Sequence, residues 1–165
     1  MKLSRQTFFV GALALIVGFV AGNAFWYLAS PLWIDRVVAE DIGEALTAKV
    51  ISQGKFGYVD ALHHAEGTAT IYEGVDGAKT LRFENFKATN GPDLKVWLVA
   101  KADVTTAEDV TGGEWVSLGP LKGNIGDQNY ALPADIDLSR YQSVVIWCEQ
   151  FSVLFSPATM TRLDS

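Results

Sequence analysis

The chain has 165 residues, which is enough for one domain beside a membrane anchor and too few for two substantial hydrophobic cores. Its net charge of −6 comes from 13 basic and 19 acidic residues, a balance that argues against nucleic acid or anionic lipid as the partner. Cys148 is the only cysteine in the sequence, which excludes an internal disulfide bond.

The first element is an apolar run from Phe8 to Ala29 that contains no Asp, Glu, Lys or Arg. A helix of about 20 apolar residues spans a bilayer, so residues 1–30 are predicted to be a transmembrane anchor. Lys2 and Arg5 precede the run, which places the N-terminus in the cytoplasm and the rest of the chain on the periplasmic or extracellular side. A cleaved signal peptide is the alternative, but the run is longer than a usual signal core, and an uncleaved signal-anchor is favoured.

A juxtamembrane linker over residues 31–53 comes next. Apolar residues recur at every fourth position from Ile34 through Val38 and Ile42 to Val50, after the helix-start signal Ser30-Pro31. The spacing predicts a short amphipathic helix over residues 31–51. Its apolar stripe is expected to lie on the membrane, to pair with a copy of itself or a protein partner, or to pack on the domain, and a stalk without a partner stays an alternative.

From Gly54 to the C-terminus, residues 54–165 alternate between apolar and polar side chains, with turns between them. Thr68–Tyr72 and Lys79–Asn85 flank the Gly/Asp-rich turn Glu73–Gly77, which predicts a hairpin. No long helical period appears in this part. The predicted fold is all-β, an antiparallel sandwich or barrel behind one transmembrane helix and the short juxtamembrane helix. The further predicted strands cover residues 94–99, 115–118, 130–132, 143–148 and 151–155.

Signatures of hydrolases and metal sites are absent from the sequence. It contains no Gly-x-Ser-x-Gly, His-Glu-x-x-His or Walker loop. His63 and His64 are adjacent and would point to opposite faces of a strand, so they are poorly placed to share a metal ion. Asp135 and Asp137 are expected to cap a turn rather than to bind calcium. No metal site is predicted, and the residues leave open whether the protein is an enzyme.

Cys148 is the candidate reactive group. On a straight strand it shares a face with Val144 and Ile146, opposite Val145 and Trp147. One interpretation is a small buried hydrophobic side chain, since free cysteine is among the most buried residue types. The other is a redox thiol, or a thiolate ligand to haem or copper. That role requires an opening to solvent or a cofactor and a nearby cation, for which Lys122 and Arg140 are candidates.

Four segments, in order, resemble the DM-thirteen domain, a module found beside DOMON domains in animal cell-surface proteins and alone behind an anchor in bacteria. The resemblance covers about Gly54 to Leu163. The most specific elements are Trp-Cys-x-x-Phe-x-x-x-Phe and Leu-Lys-Gly-x-x-Gly-x-Gln-x-Tyr. The four segments are Leu81-Arg-Phe-Glu-Asn-Phe86, Gly91-Pro-Asp-Leu-Lys-Val-Trp-Leu98, Leu118 to Tyr130 and Val145-Ile-Trp-Cys-Glu-Gln-Phe-Ser-Val-Leu-Phe155.

This resemblance implies an exported β domain that takes part in electron transfer. Cys148 matches the hallmark cysteine of the family, suggested to act as a bare thiol or as a ligand to a group such as haem. His64 matches a position where the family often has His before a glycine, here Gly67. Ser156 stands where Gly is common, and Met160 stands where Leu is common. Weak candidates for binding a cofactor are therefore Cys148, His64 and Met160.

Two functions follow from these observations. The first is a membrane-anchored redox or electron-transfer accessory that uses the single thiol of Cys148. The second is a non-enzymatic binding or assembly module of a membrane complex, held near its partner by residues 31–51, in which Cys148 is a packing residue. Among the other residues of the resemblance, Trp97, Trp147, Phe86, Phe151 and Phe155 are expected in the core, and Gln128 and Tyr130 are expected to satisfy buried backbone groups.

Overall fold

The computed structural model describes residues 4–30, 33–43 and 49–163. The chain divides into two compact units, residues 1–34 and residues 35–165. In the first unit, helix α1 covers Arg5–Ala29, and the Ser4 hydroxyl caps it by accepting a hydrogen bond from the Thr7 backbone N–H at 3.1 Å. The stretch Arg5–Tyr27 is long and apolar enough to cross a membrane. The predicted apolar helix is therefore present, and it is compatible with a single-pass anchor.

Residues 35–43, which we call the strap, are extended. The predicted juxtamembrane helix is wrong for them. The Val38 and Glu40 N–H groups donate to the carbonyl oxygens of Ile125 and Asp127, both at 2.9 Å. These bonds give backbone N–H groups of the strap hydrogen-bond partners on the sandwich. The strap therefore does not have to form a helix to satisfy them. Lys49–Ile51, the last three residues of the predicted helix, belong to strand β1, and residues 31–32 and 44–48 lie outside the described part of the chain.

Two glycines let the strap approach so closely. A Cβ at Gly126 would lie 1.9 Å from the Val38 carbonyl oxygen, and a Cβ at Gly123 would lie 2.4 Å from the Arg36 carbonyl oxygen. Gly126 also has a φ of +99°, a backbone conformation that favours glycine. The buried Arg82 guanidinium completes the attachment by donating to the Glu40 carbonyl oxygen at 2.9 Å.

The second unit contains two antiparallel sheets that face each other as a sandwich and do not close into a barrel. The strand order is β6-β3-β2-β1-β9 in the five-stranded sheet and β5-β4-β7-β8 in the four-stranded sheet. The strands are β1 Lys49–Lys55, β2 Ala65–Glu73, β3 Lys79–Ala88, β4 Leu94–Val99, β5 Trp115–Pro120, β6 Gln128–Ala131, β7 Ser143–Cys148, β8 Val153–Thr159 and β9 Thr161–Arg162, and a short helix α2 covers Ala107–Thr111.

The predicted hairpin is confirmed, since β2 pairs with β3 in the register Ile71–Leu81 and Tyr72–Thr80. The last predicted strand begins two residues later than expected and continues to Thr159. Ser152 has a φ of +52°, so the turn between β7 and β8 continues to that residue, and β8 begins at Val153. As a result Phe151, expected in the core, is 62% exposed on this turn.

The alternation of β7 divides the hydrophobic residues between two clusters. Val144, Ile146 and Cys148 face the core between the sheets, together with Phe83, Phe86 and Phe155. Val145 and Trp147 face the other side of the four-stranded sheet, where α2 and the segment before it cover them with Val104 and Val110. The predicted face of Cys148 is thus the inner face.

Candidate functional site

Cys148 lies at the end of a central strand. Strand β7 is flanked by β4 and β8, and Cys148 is paired with Leu94 on one side and with Val153 on the other. Its side chain is 1% exposed and belongs to the cluster between the sheets. The next residue, Glu149, is exposed at the start of the turn. The thiol is therefore held inside the sandwich, one residue away from exposed chain.

The surroundings of the sulfur are apolar. The cluster that contains Cys148 consists of aliphatic and aromatic side chains, and among the described residues no hydrogen bond to its Sγ is found. The two cations that the sequence suggested are engaged elsewhere. The Lys122 Nζ donates to the Glu40 carboxylate at 2.9 Å, and the Arg140 guanidinium pairs with Glu114. Neither cation is therefore free to stabilise a thiolate at this position.

Three connections close the sandwich at the end where Cys148 lies, which we call the thiol end: residues 57–64, 89–93 and 149–152. The Phe155 ring joins two of them, because it contacts the His63 ring with centroids 4.6 Å apart and fills the space that a side chain at Gly91 would occupy. The third connection, residues 149–152, is joined to residues 89–93 by the Glu149 N–H, which donates to the Asp93 carbonyl oxygen at 3.0 Å. The thiol end is closed by contacts between these connections.

Ser156, where the DM-thirteen pattern commonly has glycine, also takes part in this closure. Its side chain is buried, and its hydroxyl donates to the Gly57 carbonyl oxygen at 2.6 Å. His63 is fixed by Asp60, with the His63 Nδ1 and an Asp60 carboxylate oxygen 2.8 Å apart, and this hydrogen bond lowers the pKa of the Asp60 carboxyl. The serine that stands in place of the common glycine at position 156 therefore binds the loop of residues 57–64, which covers the thiol end.

His64 is placed in the same loop but is only half-buried. Its ring stacks on Tyr58 with centroids 5.7 Å apart, and its carbonyl oxygen accepts a hydrogen bond from the Thr89 N–H at 3.1 Å. The His64 Nδ1 atom is buried, and it has no hydrogen-bond partner in the described part of the chain. Its neighbour His63 points to Asp60, so the two imidazoles are directed to different partners.

Met160 lies far from Cys148. Its N–H donates to the Gln142 carbonyl oxygen at 2.8 Å, just before the start of β7, whereas Cys148 ends that strand. At the rise of a strand, these two ends are roughly 20 Å apart. Met160 lines a cleft of about 370 Å³ at that opposite end, together with Ile51, Ile71, Leu138, Tyr141 and Arg162. Cys148 and Met160 cannot therefore bind the same group.

The residues do not fit a haem or copper site built on Cys148. A thiolate ligand needs an opening for the cofactor, whereas this sulfur is sealed among apolar side chains and Met160 is at the other end of the strand. Within the described residues, no group of three His, Cys, Asp or Glu side chains is arranged to hold a metal ion.

Gln128 and Tyr130 have structural roles in the neighbouring loop. Gln128 is fully buried and bonds to both the N–H and the carbonyl oxygen of Gly123, at 3.2 and 2.9 Å. The Tyr130 hydroxyl donates to the Gln128 side chain at 2.7 Å and accepts from the Lys122 N–H at 3.1 Å. Burial raises the pKa of the Tyr130 phenol. These contacts satisfy the backbone of the loop that supports the strap.

Three tryptophans form a row that was not predicted from the sequence. Trp97 and Trp147 were expected to be core residues, and Trp115 was only part of a short strand. In the structure the three rings stand together on the outer face of the four-stranded sheet, in the order Trp147, Trp97, Trp115. The sequence does place three tryptophans in three predicted strands, but it does not indicate that those strands are neighbours.

Taken together, the fold and the thiol define a two-sheet β domain with one enclosed cysteine, in a chain that also has an N-terminal apolar helix. The chain belongs to the electron transfer DM13 family, whose model matches residues 55–160. The matched segment includes Cys148, the four-stranded sheet and strands β2, β3 and β6 of the five-stranded sheet, so the resemblance noted in the sequence is confirmed. None of the curated proteins or solved structures compared with the chain matches it.

Proposed function

We propose that this chain is a membrane-tethered electron-transfer domain on the non-cytoplasmic side, in which Cys148 is the redox-active group. Membership of the DM13 family supports a redox-related role. The anchor is supported by helix α1, and the side of the membrane by Lys2 and Arg5 before it. The observation that carries the choice of residue is the position of Cys148, an enclosed thiol one residue before the exposed turn 149–152.

The burial of Cys148 restricts its chemistry to electron transfer without contact between sulfur atoms. Thiol–disulfide exchange requires a thiolate to attack another sulfur directly, which the closed thiol end prevents in the folded chain. Oxidation by one electron does not need that contact. The thiol of Cys148 loses one electron, and its S–H proton passes to water at the adjacent exposed turn 149–152, to give a thiyl radical. A reductant returns the electron, and water at the same turn returns the proton. The partner is therefore a one-electron carrier.

This proposal is tested on the full chain in detergent micelles with two reagents. Hexachloroiridate(IV) takes one electron from a thiol, whereas a bulky aromatic disulfide must touch the sulfur. We expect the folded chain to reduce hexachloroiridate(IV) about tenfold faster than Cys148→Ala, equivalent to about 1.4 kcal/mol in activation free energy. The disulfide reagent should react only after denaturation. Equal iridate rates for the two chains would exclude Cys148 as the redox group.

A second candidate function is the assembly module, and the enclosure of Cys148 among apolar side chains favours it. In that case the strap is the surface that contacts a partner. Val38 and Ile42 are already half-buried, but Val37 is 68% exposed and available. Val37→Asp should then release a co-purifying protein, or dissociate a self-assembled form in analytical ultracentrifugation. Val75→Asp, on an equally exposed turn residue, is the control. Loss in both variants, or in neither, would argue against this function.

A further inference from the structure

We propose that Trp147, Trp97 and Trp115 form an electron relay that connects the buried end of β7 with the surface of the four-stranded sheet. The relay deepens the proposed function, because it supplies a route between a shielded Cys148 and a partner that cannot touch it. The electron route runs through side chains, so the oxidant does not have to enter the thiol end.

The ring distances support this route. Trp97 and Trp115 are stacked, with centroids 4.0 Å apart and planes 9° from parallel, and Trp97 and Trp147 have centroids 5.4 Å apart at 31°. Strand register produces this row, because Trp97 lies on β4 between Trp147 on β7 and Trp115 on β5. Electron transfer falls off steeply with the gap between aromatic rings, so two contacts of this kind make each step short.

Exposure rises along the row. Trp147 is 1% exposed, Trp97 is 4% exposed and Trp115 is 43% exposed. A row of this kind has one buried end and one end that a docked partner can reach. Packing alone explains the two buried rings, since large aromatic side chains stabilise a core, but it does not require a half-exposed third ring stacked in parallel on Trp97.

The surroundings of Trp97 favour transfer to the next ring over loss of a proton. A tryptophan that loses one electron becomes a cation whose indole N–H is acidic, and proton loss to an acceptor traps the radical. The Trp97 Nε1 atom is buried and has no hydrogen-bond partner in the described part of the chain. Val99, Val104, Val110, Val145 and Leu154 surround the cluster and keep it dry. Among the residues that the structure describes, the indole N–H in the middle of the row therefore has no hydrogen-bond acceptor to take its proton.

A one-electron oxidant docked at the surface takes an electron from the Trp115 ring, which is refilled from Trp97 and then from Trp147. Trp147 and Cys148 are joined by a peptide bond, although their side chains leave opposite faces of β7. The last electron comes from Cys148, whose S–H proton passes to water at the adjacent exposed turn 149–152, and the residue is left as the thiyl radical.

The relay can be tested without the natural partner. The chain has five tryptophans, so Trp26→Phe and Trp33→Phe, both in the other unit, leave only the row. This background, as full chain in micelles, is oxidised with flash-generated tris(bipyridine)ruthenium(III). Transient absorption follows the tryptophan radical, and peptide mapping locates oxidised tryptophan. In this background, Trp115→Phe removes the oxidisable surface ring but keeps an aromatic side chain, and Tyr58→Phe, on an exposed ring outside the row, is the control.

We expect Trp115→Phe to lower oxidation at Trp97 and Trp147 by about tenfold, equivalent to about 1.4 kcal/mol in activation free energy, while Tyr58→Phe leaves it unchanged. Unchanged oxidation of the buried rings in Trp115→Phe, with an unchanged circular dichroism spectrum, would overturn the relay. Cys148→Ala separates the two proposals. A longer-lived tryptophan radical in that variant supports both, whereas an unchanged lifetime rejects Cys148 as the final donor and leaves the relay standing.

Discussion

Two neighbouring residues, Trp147 and Cys148, lie in opposite environments. Cys148 faces the core between the sheets, where every side of it is packed. Trp147 is as deeply buried on the outer face, but it touches a row of rings that ends at the half-exposed Trp115. This difference shows that burial of a side chain does not by itself isolate that side chain from the protein surface. A group can be closed to reagents and still be connected to the surface through side chains that carry electrons.

The two faces also differ in what closes them. The inner face is closed by contacts among side chains and backbone at the thiol end, such as those of Phe155 and Gly91. The outer face is covered by α2 and the segment before it, which an exposed network around Asp109 holds in place.

The largest effect is expected from Trp147→Ala. Removal of a fully buried tryptophan destabilises a protein by about 3–5 kcal/mol, because contacts are lost and a cavity is left. Trp115→Ala should cost less than half as much, since that ring is half-exposed. Urea unfolding of the full chain in micelles, followed by circular dichroism, measures both. Similar losses for the two variants would mean that the stability contributed by each ring does not follow its burial.

A smaller effect is expected from crowding the thiol end with Gly91→Ala. Its Cβ would lie 2.7 Å from the Phe155 ring and 2.8 Å from the Leu94 side chain. Overpacking of this kind costs about 1–3 kcal/mol, and it should make Cys148 react faster with a small thiol reagent. Gly113→Ala is the matched control, because nothing lies within 4 Å of its Cβ. A stability and thiol reactivity equal to those of the control would show that this turn does not close the site.

The character of the inner face is tested by comparing Cys148→Ser with Cys148→Ala. A buried hydroxyl without a partner costs about 1–3 kcal/mol, whereas alanine loses only the small contribution of the sulfur. We therefore expect the serine variant to be less stable than the alanine variant by about 1 kcal/mol. A serine variant that is equally stable would reveal a polar group or water beside position 148, in conflict with an apolar site.

The smallest effect concerns acid. The hydrogen bond from the Lys101 ammonium and those from the Thr105 and Thr106 N–H groups hold the pKa of Asp109 far below its ordinary value. The stability that this carboxylate contributes is therefore present above pH about 4, the ordinary range of aspartate, and is lost as the pH falls below it.

Asp109→Asn should remove part of this acid sensitivity, because an uncharged amide replaces the titrating group. Tryptophan fluorescence under α2, recorded between neutral and acid pH, is the measurement, since Val104 and Val110 cover the row. Asp76→Asn, in the exposed turn before β3, is the control. An acid transition in Asp109→Asn that matches the control would mean that this network does not hold the outer cover.

Much of the β domain was predictable because alternation is a local property. The hairpin of β2 and β3, the strand β7 and the face of Cys148 follow from the period of two and from a Gly/Asp turn. The strap was mispredicted for the same reason. Its fourfold apolar spacing is a local signal of helix, and it was overridden by backbone hydrogen bonds to Ile125 and Asp127, which lie far away in the sequence.

The sequence predicted which residue forms the candidate site, but it did not predict the surroundings of that residue. The family-like segment around Trp147 and Cys148 indicates the cysteine. The sequence near it does not indicate that Met160 lies at the opposite end of β7 or that Lys122 is bound to Glu40. Phe151 was expected in the core because its apolar neighbours continue the pattern. The positive φ of Ser152 delays the start of β8 to Val153, which leaves Phe151 exposed on the preceding turn.

The sequence by itself determined the apolar helix, the β character of residues 54–165, the family and the side of β7 on which its one thiol lies. These depend on composition, period and short motifs, which a chain carries before it folds. The tertiary structure decided how deeply the thiol is enclosed, that the strap is extended and that three tryptophans form a row. Such properties depend on which strands become neighbours, and strand pairing joins residues that are distant along the chain.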